Sequence, residues 1–168
     1  MRIVALAAVT IDGKIALHSS HFSDWTSPED KVFLKEFLDA SDCVVVGNNT
    51  YKTAEDRLSK RNCIVFTSSV ESSERKRDNL LFCNPAVADI VELLREYKTI
   101  TVLGGTKTYT YFLEKDLLDE IYLTIEPITF GTGLNLFETN LDAKKLFRLE
   151  SVKQLNDTGS ILLHYVRR

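Results

Sequence analysis

Two short segments combine glycine with small polar residues directly after an apolar run. Gly104-Gly105-Thr106 follows the run 99–103, and Gly47-Asn48-Asn49-Thr50 ends and follows the run 42–47. Glycine lets the backbone approach a ligand closely, and the first turn of a helix offers unpaired N–H groups to a phosphate. If both runs are parallel strands, both corners face the crevice at the carboxyl ends of the sheet. The pattern predicts a site for a phosphate-bearing ligand, although a Gly-Gly corner can also be steric and Asn or Thr can simply cap a helix.

A third run, 62–67, ends at Thr67 and is followed by Ser68 and Ser69, so three hydroxyl-bearing residues come together at its end. These side chains are candidates to complete the same crevice, because they follow a strand of the same kind. The glycines do not form a G-x-G-x-x-G fingerprint, so the usual Rossmann dinucleotide site is disfavoured.

An acidic residue, Asp30, follows the only tryptophan, Trp25, by five positions. Ser27 and Pro28 between them are typical of a helix N-cap and its first residue. Asp30 therefore lies in a first helical turn, where a carboxylate also simply favours the helix dipole. The alternative interpretation is a carboxylate at the mouth of an aromatic-lined pocket, able to hold or deliver a proton.

The elements that would position these residues alternate between short β-branched runs and helical stretches, which is typical of an α/β domain. Helices are predicted from 28 to about 40, directly after 47, from 85 to about 97 and from about 107 to 114. Strands are predicted over 2–9, 42–47, 62–67, 80–83, 99–103, 121–125, 146–155 and 160–166. Long polar stretches over 10–25 and 68–79 are expected to be loops, and 156–159 is expected to turn a hairpin. We predict one domain, 1–168, with a mostly parallel sheet finished by antiparallel C-terminal strands.

Composition narrows the function classes. The chain has 168 residues, 44% hydrophobic and 27% charged, with a formal net charge of −3. This charge provides no field for nucleic acid or an anionic membrane, and no apolar run is long enough to span a bilayer. We therefore expect a cytoplasmic protein that binds a small molecule. Cys43, Cys63 and Cys83 form no Cys-x-x-Cys pair, and the loop histidines His18 and His21 have no evident partners, so no metal site is expected.

Several of these segments, taken in order, resemble dihydrofolate reductases and their relatives. Asp12-Gly13-Lys14-Ile15-Ala16, the step from Trp25 to Asp30, and Val46–Tyr51 are similar to the beginning and the first cofactor corner of that superfamily. Gly104–Tyr109 resembles its second cofactor corner, and Ile121–Thr124 the strand whose threonine backs the substrate pocket. The matches run in order from residue 3 to about 137.

Two details resemble one branch, the riboflavin biosynthesis reductases (the RibD C-terminal domain). One is Thr10–Ala16, and the other runs from Leu118 through Glu126-Pro127-Ile128 to Leu136-Phe137. This resemblance implies the three-layer dihydrofolate reductase-like fold, a homodimer, and NADPH-dependent hydride transfer to a small heterocycle of the 5-amino-6-(5-phosphoribosylamino)uracil type.

The resemblance also implies roles for individual residues. Asp30, Thr124 and Trp25 would form the catalytic group, and a cis peptide would join Gly104 to Gly105. The residues that would hold the dinucleotide are Ala8, Ile15, Gly47, Asn48, Asn49, Thr50, Thr67, Ser68, Ser69, Gly104, Gly105, Thr106, Lys107 and Thr108.

Two positions, one departure from the family pattern and one match to it, keep alternatives open. Asn48 stands where dihydrofolate reductases usually carry an arginine for the 2′-phosphate, so NADH is possible beside NADPH. Arg61 occupies the place of the arginine that binds the glutamate tail of folate, so a true dihydrofolate reductase is the main alternative. A dinucleotide-binding protein without turnover is the second alternative.

Overall fold

The computed structural model describes residues 1–139 and 144–168. Its strands are β1 (Arg2–Thr10), β2 (Lys14–Ala16), β3 (Cys43–Gly47), β4 (Cys63–Phe66), β5 (Ser73–Arg77), β6 (Leu80–Cys83), β7 (Thr99–Val102), β8 (Glu120–Glu126), β9 (Leu134–Asn135), β10 (Phe147–Gln154) and β11 (Ile161–Arg167). Its helices are α1 (Pro28–Asp39), α2 (Asn48–Leu58), α3 (Ile90–Leu94) and α4 (Thr106–Glu114).

A nine-stranded sheet organises the chain in the order β10-β11-β8-β1-β7-β3-β4-β6-β5. The six central strands, from β8 to β6, are parallel to one another. The antiparallel pairs lie at the two ends: β11 with β8 and β10 on one side, and β5 with β6 on the other. The predicted fold class, a mostly parallel sheet finished by antiparallel C-terminal strands, is confirmed.

Helices cover both faces of this sheet, which explains why its central strands are continuously apolar. In β3, Val44 and Val46 pack with residues of α1 and α2, whereas Cys43 and Val45 pack with residues of α3 and α4. Successive side chains of a strand point to opposite faces, so each residue of this run has a buried face to fill. The result is three layers, helices on both sides of one sheet.

Three predicted segments are wrong in detail. The helix expected over 85–97 is only α3, because Asn84 first turns the chain by accepting the N–H of Ala86 at 3.1 Å. The helix then begins only after Asp89, whose side chain caps the N–H of Glu92 at 3.1 Å. The polar stretch 68–79 contains β5, which is exposed along its whole length and so lacks the alternation that predicts a strand. The loop 10–25 contains β2, a three-residue strand paired with β9.

The three cysteines are buried and free. Burial raises the pKa of the Cys63 and Cys83 thiols to about 12 and raises that of Cys43 as well. They therefore act as small apolar side chains of the core. Among the described residues, no helix has the length and apolar character needed to cross a bilayer.

Candidate functional site

The two glycine corners lie side by side at the carboxyl ends of β3 and β7. These strands are direct neighbours, so the chain leaves the sheet twice at the same place. The N–H of Gly47 donates to the carbonyl of Gly104 at 2.6 Å. The peptide between Gly104 and Gly105 is cis, as the family resemblance implied. The predicted meeting of both corners in one crevice is confirmed by this contact.

Glycine is needed at these corners for close packing. A Cβ on Gly47 would lie 2.9 Å from Thr108 Oγ1. Gly104 has a φ of +99°, and a Cβ there would lie 2.8 Å from the ring of Tyr109. Tyr109 is itself fixed by donating its hydroxyl to the carbonyl of Leu6 in β1 at 2.5 Å. The buried ring of Tyr109 thus packs against Gly104 and supports the second corner.

Both corners open helices that have no side-chain cap. Gly47 is the N-cap of α2 and Gly105 that of α4, and in neither case does a side chain bond to the first turn. By contrast, Ser27 caps α1 and Asp89 caps α3. The alternative that Asn48, Asn49 or Thr50 merely caps α2 is therefore wrong. The uncapped N–H groups of two adjacent helices fit a dinucleotide pyrophosphate, because such groups and the helix dipole both favour an anion.

A cleft of about 1160 Å³ runs across these corners. Most predicted site residues line it: Ala8, Ile15, Trp25, Asp30, Gly47, Asn48, Asn49, Thr50, Thr67, Ser68, Gly105, Thr106, Lys107, Thr108 and Thr124. Two predicted residues lie outside the lining. Gly104 is buried behind Gly105, and Ser69 is exposed with its hydroxyl 2.9 Å from that of Thr67.

The small β2–β9 ribbon closes one side of the cleft. Thr106, at the start of α4, donates its hydroxyl to the carbonyl of Asn135 at 2.6 Å. Lys14 in β2 donates to the side chain of the same asparagine at 2.5 Å. The ribbon therefore holds Ile15, one of the dinucleotide-binding residues that the family resemblance implies, beside the second glycine corner.

Asp30 is buried in the first turn of α1, with only 7% of its surface exposed. Burial raises the pKa of its carboxyl, because desolvation disfavours the charged form. Hydrogen bonds from Thr124 and Thr26 act in the opposite direction, the nearby charge of Glu126 raises this pKa further, and Lys31 lowers it. A carboxyl whose pKa is raised inside a cleft is suited to hold a proton beside a reacting molecule.

The buried environment of Asp30 should make the stability of the protein depend on pH. Because the pKa of Asp30 is raised in the folded state, the folded protein binds this proton more tightly than the unfolded chain does. The contribution of Asp30 to the free energy of unfolding is fully present below the pKa of the unfolded carboxyl, about 3.9. It declines as pH rises from that value through the pKa of the folded state. We expect Asp30→Asn to have a higher Tm than wild type at pH 7. Thermal melts at pH 7 and near pH 4 check this, since the gain must shrink at the lower pH; an equal gain at both would contradict it.

Trp25 lines the cleft between Asp30 and the β2 loop. Its ring packs edge-on against Phe130, with centroids 5.1 Å apart. Its indole Nε1 is buried and has no hydrogen-bond partner in the described part of the chain. A buried N–H of this kind is costly unless an acceptor reaches it, so it fits a polar group of a bound molecule.

The half of the cleft near α1 carries apolar and cationic side chains. Phe33 and Leu34 of α1 line its wall, and Lys31 and Arg57 lie among its lining residues. The guanidinium of Arg57 stands 4.8 Å from the ring centre of Phe22, across the cleft rim. On the other side, Lys107 is the basic lining residue at the second glycine corner. Basic side chains therefore line the described cleft both beside α1 and at the start of α4.

Arg61, the candidate for a folate tail, is occupied elsewhere. Its guanidinium donates to the carbonyl of Leu38 at 2.6 Å and to the carboxylate of Asp39 at 2.5 Å, and it does not line the cleft. It closes the C-terminal end of α1, a role consistent with the preference of cations for that end of a helix. The basic residues near Ser68 in sequence are also engaged elsewhere, since Arg75 bonds to Asp78 and Lys76 to Glu74.

One buried acid beside the site, Glu126, was not assigned a role from the sequence. Glu126 is 3% exposed, and its carboxylate accepts the N–H of Ser27 at 2.8 Å and the hydroxyl of Ser160 at 2.5 Å. Residues 122, 124 and 126 of a strand share one face, so the choice of Thr124 already placed Glu126 beside the start of α1. An acid two residues beyond Thr124, on the same face of the strand, was the available signal.

Comparison with known proteins agrees with this geometry. The chain is 29% identical to the uncharacterized protein YwjB of Bacillus subtilis (strain 168), an alignment that covers 98% of this chain and 97% of that one. A deaminase/5-amino-6-(5-phosphoribosylamino)uracil reductase of Thermotoga maritima has a similar structure, with a TM-score of 0.72 and 21% identity over 99% of this chain and 56% of that one.

A dihydrofolate reductase of Enterococcus faecalis, solved with NADP(H), is also similar, with a TM-score of 0.68 and 21% identity over 99% of this chain and 96% of that one. At such identities these structures establish the fold alone. The model of the family described as dihydrofolate reductase matches residues 2–158, nearly the whole length of the chain. The chain therefore belongs to the dihydrofolate reductase family.

Proposed function

We propose that this chain is an NADPH-dependent reductase that transfers hydride to a small heterocyclic substrate of the 5-amino-6-(5-phosphoribosylamino)uracil type. One observation carries the proposal: two uncapped helix starts meet through the contact between Gly47 and Gly104, and the cleft that they border also contains the buried Asp30. The first feature suits a pyrophosphate and the second suits proton control at a reacting ring.

In the proposed reaction, the nicotinamide cofactor supplies a hydride, and the substrate gains one hydride and one proton. The residues of the two corners would bind the pyrophosphate through backbone N–H groups. Ile15 and Ala8 would form the apolar wall beside the nicotinamide, and the loop carrying Trp25 would exclude water. Asp30, with Thr124 hydrogen bonded to it, would orient the substrate and favour its protonated form, which accepts hydride more readily.

The preference for NADPH over NADH is part of the proposal. Thr67, Ser68 and Lys107 line the cleft and could bind the additional phosphate of NADPH. Asn48 stands where an arginine would strengthen that preference, so NADH remains the alternative. Fluorescence titration with each dinucleotide measures the ratio of the two Kd values.

The substrate class rests on the positions of two arginines. Dihydrofolate would need Arg61 for its anionic tail, and that side chain closes α1 instead. Arg57 lines the cleft and suits a phosphate group on the substrate, whereas Lys31, which also lines it, donates to the carbonyl of Asp24 at 3.0 Å. Dihydrofolate remains the second candidate, supported by the Trp25–Asp30 pair and by the family model. A binding protein without turnover is the third.

The decisive assay follows oxidation of NADPH, by the loss of absorbance of its reduced nicotinamide, with each candidate substrate in separate reactions. Turnover with the ribosylaminopyrimidine and none with dihydrofolate supports the proposal, and the reverse supports the second candidate. Tight NADPH binding with no oxidation by either substrate would favour the third.

Arg57→Ala provides a direct test of the phosphate assignment. We expect it to raise the KM of the phosphorylated substrate by about tenfold or more, the scale of a lost charge-assisted hydrogen bond, with little change in kcat. The dephosphorylated substrate should show no such increase. Arg61→Ala is the matched control and should leave both KM values near wild type while lowering Tm. A rise in the KM for dihydrofolate in Arg61→Ala, with no rise in Arg57→Ala, would return the assignment to dihydrofolate.

We also propose that the protein is a cytoplasmic homodimer. β10 forms one end of the sheet, and its Leu149 and Val152 side chains are 46% and 57% exposed. Exposed apolar residues on an edge strand favour pairing with a second copy. Light scattering after size-exclusion chromatography gives the mass of the protein in solution. A monomeric wild-type protein would exclude the dimer, and a dimer whose mass Val152→Lys leaves unchanged would exclude this interface.

A further inference from the structure

The start of α1 is held by a chain of hydrogen bonds that begins in the C-terminal hairpin. In the turn between β10 and β11, the side-chain oxygen of Asn156 accepts the N–H groups of Gly159 and Ser160 at 3.1 and 3.0 Å. Ser160, with 0% of its surface exposed, donates its hydroxyl to Glu126 at 2.5 Å. This turn is therefore tied to the inner face of β8.

Glu126 passes this connection to the helix. Its second oxygen accepts the backbone N–H of Ser27, the N-cap of α1, at 2.8 Å. The hydroxyl of Ser27 in turn accepts the N–H of Asp30 at 3.3 Å. A buried carboxylate left without partners would be costly, so these bonds constrain the first turn of α1 strongly.

From this geometry we infer that Glu126 is a positioning residue for Asp30: its buried carboxylate joins the C-terminal hairpin to the first turn of α1 and sets the place and charge environment of the acid in the cleft. Glu126 does not line the cleft, so it acts through Asp30 and not on a bound molecule. This inference rests on the proposed function for its effect on turnover, but its effect on Asp30 itself is independent of any substrate.

The groups that face Asp30 decide the direction of that effect. Two charged side chains act on the Asp30 carboxyl, Glu126 in β8 and Lys31 in α1. The hydroxyls of Thr124 and Thr26 bond to it. The buried phenol of Tyr109 in α4 lies close enough to interact with its charge. Among these, Glu126 is the negative side chain that makes the proton of Asp30 harder to remove. Replacing Glu126 with Gln keeps an acceptor for the N–H of Ser27 and removes the charge, so the pKa of Asp30 should fall.

The experiment compares Glu126→Gln with wild type and with Glu29→Gln as the control. Glu29 is the exposed carboxylate next to Asp30 in α1, and it accepts the side-chain amide of Asn156 at 2.9 Å, a bond that glutamine can keep, so Glu29→Gln removes a neighbouring charge without removing an acceptor. The carboxyl carbon of Asp30 is titrated by NMR in all three proteins, which needs no substrate. We expect a lower pKa in Glu126→Gln and an unchanged value in Glu29→Gln. An unchanged or higher pKa in Glu126→Gln would overturn the inference, even in a protein that proves to have no reductase activity.

Turnover provides the second readout once a substrate is known. Glu126→Gln and Ser160→Ala should each lower kcat by roughly tenfold, the scale of one lost positioned hydrogen bond, with the Kd of NADPH unchanged. In an Asp30→Asn background neither change should lower kcat further, because two residues that act through one group are not additive. Additive losses would show that Glu126 stabilises the fold without positioning Asp30. If Glu126→Gln does not fold, Ser160→Ala, which keeps the carboxylate and removes its bond to the hairpin, makes the kinetic test of non-additivity.

Discussion

Asp30→Asn is expected to lower kcat by about 10²- to 10⁴-fold, the range for loss of a positioned proton-transfer group. Asparagine keeps the shape of the side chain and can still bond to Thr124, but it cannot carry the charge that stabilises a protonated substrate. The Kd of NADPH should stay near the wild-type value, since the proposed pyrophosphate site lies at Gly47 and Gly105, on other elements. Steady-state kinetics and a fluorescence titration of the same preparations measure both quantities.

The pH dependence of the same variant gives an internal check. Because burial raises the pKa of Asp30, the protonated form persists to higher pH than for an exposed carboxyl. Wild-type kcat/KM should fall as pH rises through that pKa, and this part of the profile should be absent in Asp30→Asn. Equal losses of turnover and cofactor affinity in Asp30→Asn would remove the carboxylate from its catalytic role.

The parts of the fold that can be predicted are those where local pattern and tertiary burial agree. The run Val44-Val45-Val46 is buried on both faces and therefore continuously apolar, a pattern that by itself indicates a central parallel strand. β5 escapes such prediction because all its residues are exposed, and its pairing with β6 depends on backbone bonds that no side-chain pattern reveals. Pro85 favours a helix start, whereas the helix begins only after the cap at Asp89.

The contacts of the candidate site are likewise of two kinds, those that follow from the sequence and those that do not. The meeting of Gly47 and Gly104 follows from a general property of parallel sheets, that the carboxyl ends of neighbouring strands share one edge. The partners of Asp39 and Glu126 do not follow, because their bonds to Arg61 and Ser160 join residues 22 and 34 positions apart. Such contacts depend on the packing of whole elements. The sequence therefore indicates which side chains are able to bind a ligand, but not which of them are already hydrogen bonded within the protein.

The second large effect is expected at Gly105, where a methyl group should block the cofactor without disturbing the corner. Gly105 has a φ of −76°, and a Cβ there would meet only Thr50 Oγ1 at 3.6 Å, so it would project into the cleft between the two helix starts. Gly105→Ala should therefore weaken NADPH binding by roughly tenfold or more, about 1.4 kcal/mol for each factor of ten, with a Tm close to wild type. Calorimetric titration and a thermal melt measure the two effects separately.

Gly104→Ala is the matched control, one residue away and of the same chemistry. Its Cβ would collide with the ring of Tyr109 at 2.8 Å and its φ of +99° disfavours any side chain, so we expect a loss of about 1–3 kcal/mol in the free energy of unfolding. The two variants should thus separate ligand space from fold support at adjacent positions of one corner. Unchanged NADPH affinity in a folded Gly105→Ala protein would mean that the pyrophosphate does not lie between α2 and α4, and the proposed cofactor site would have to be abandoned.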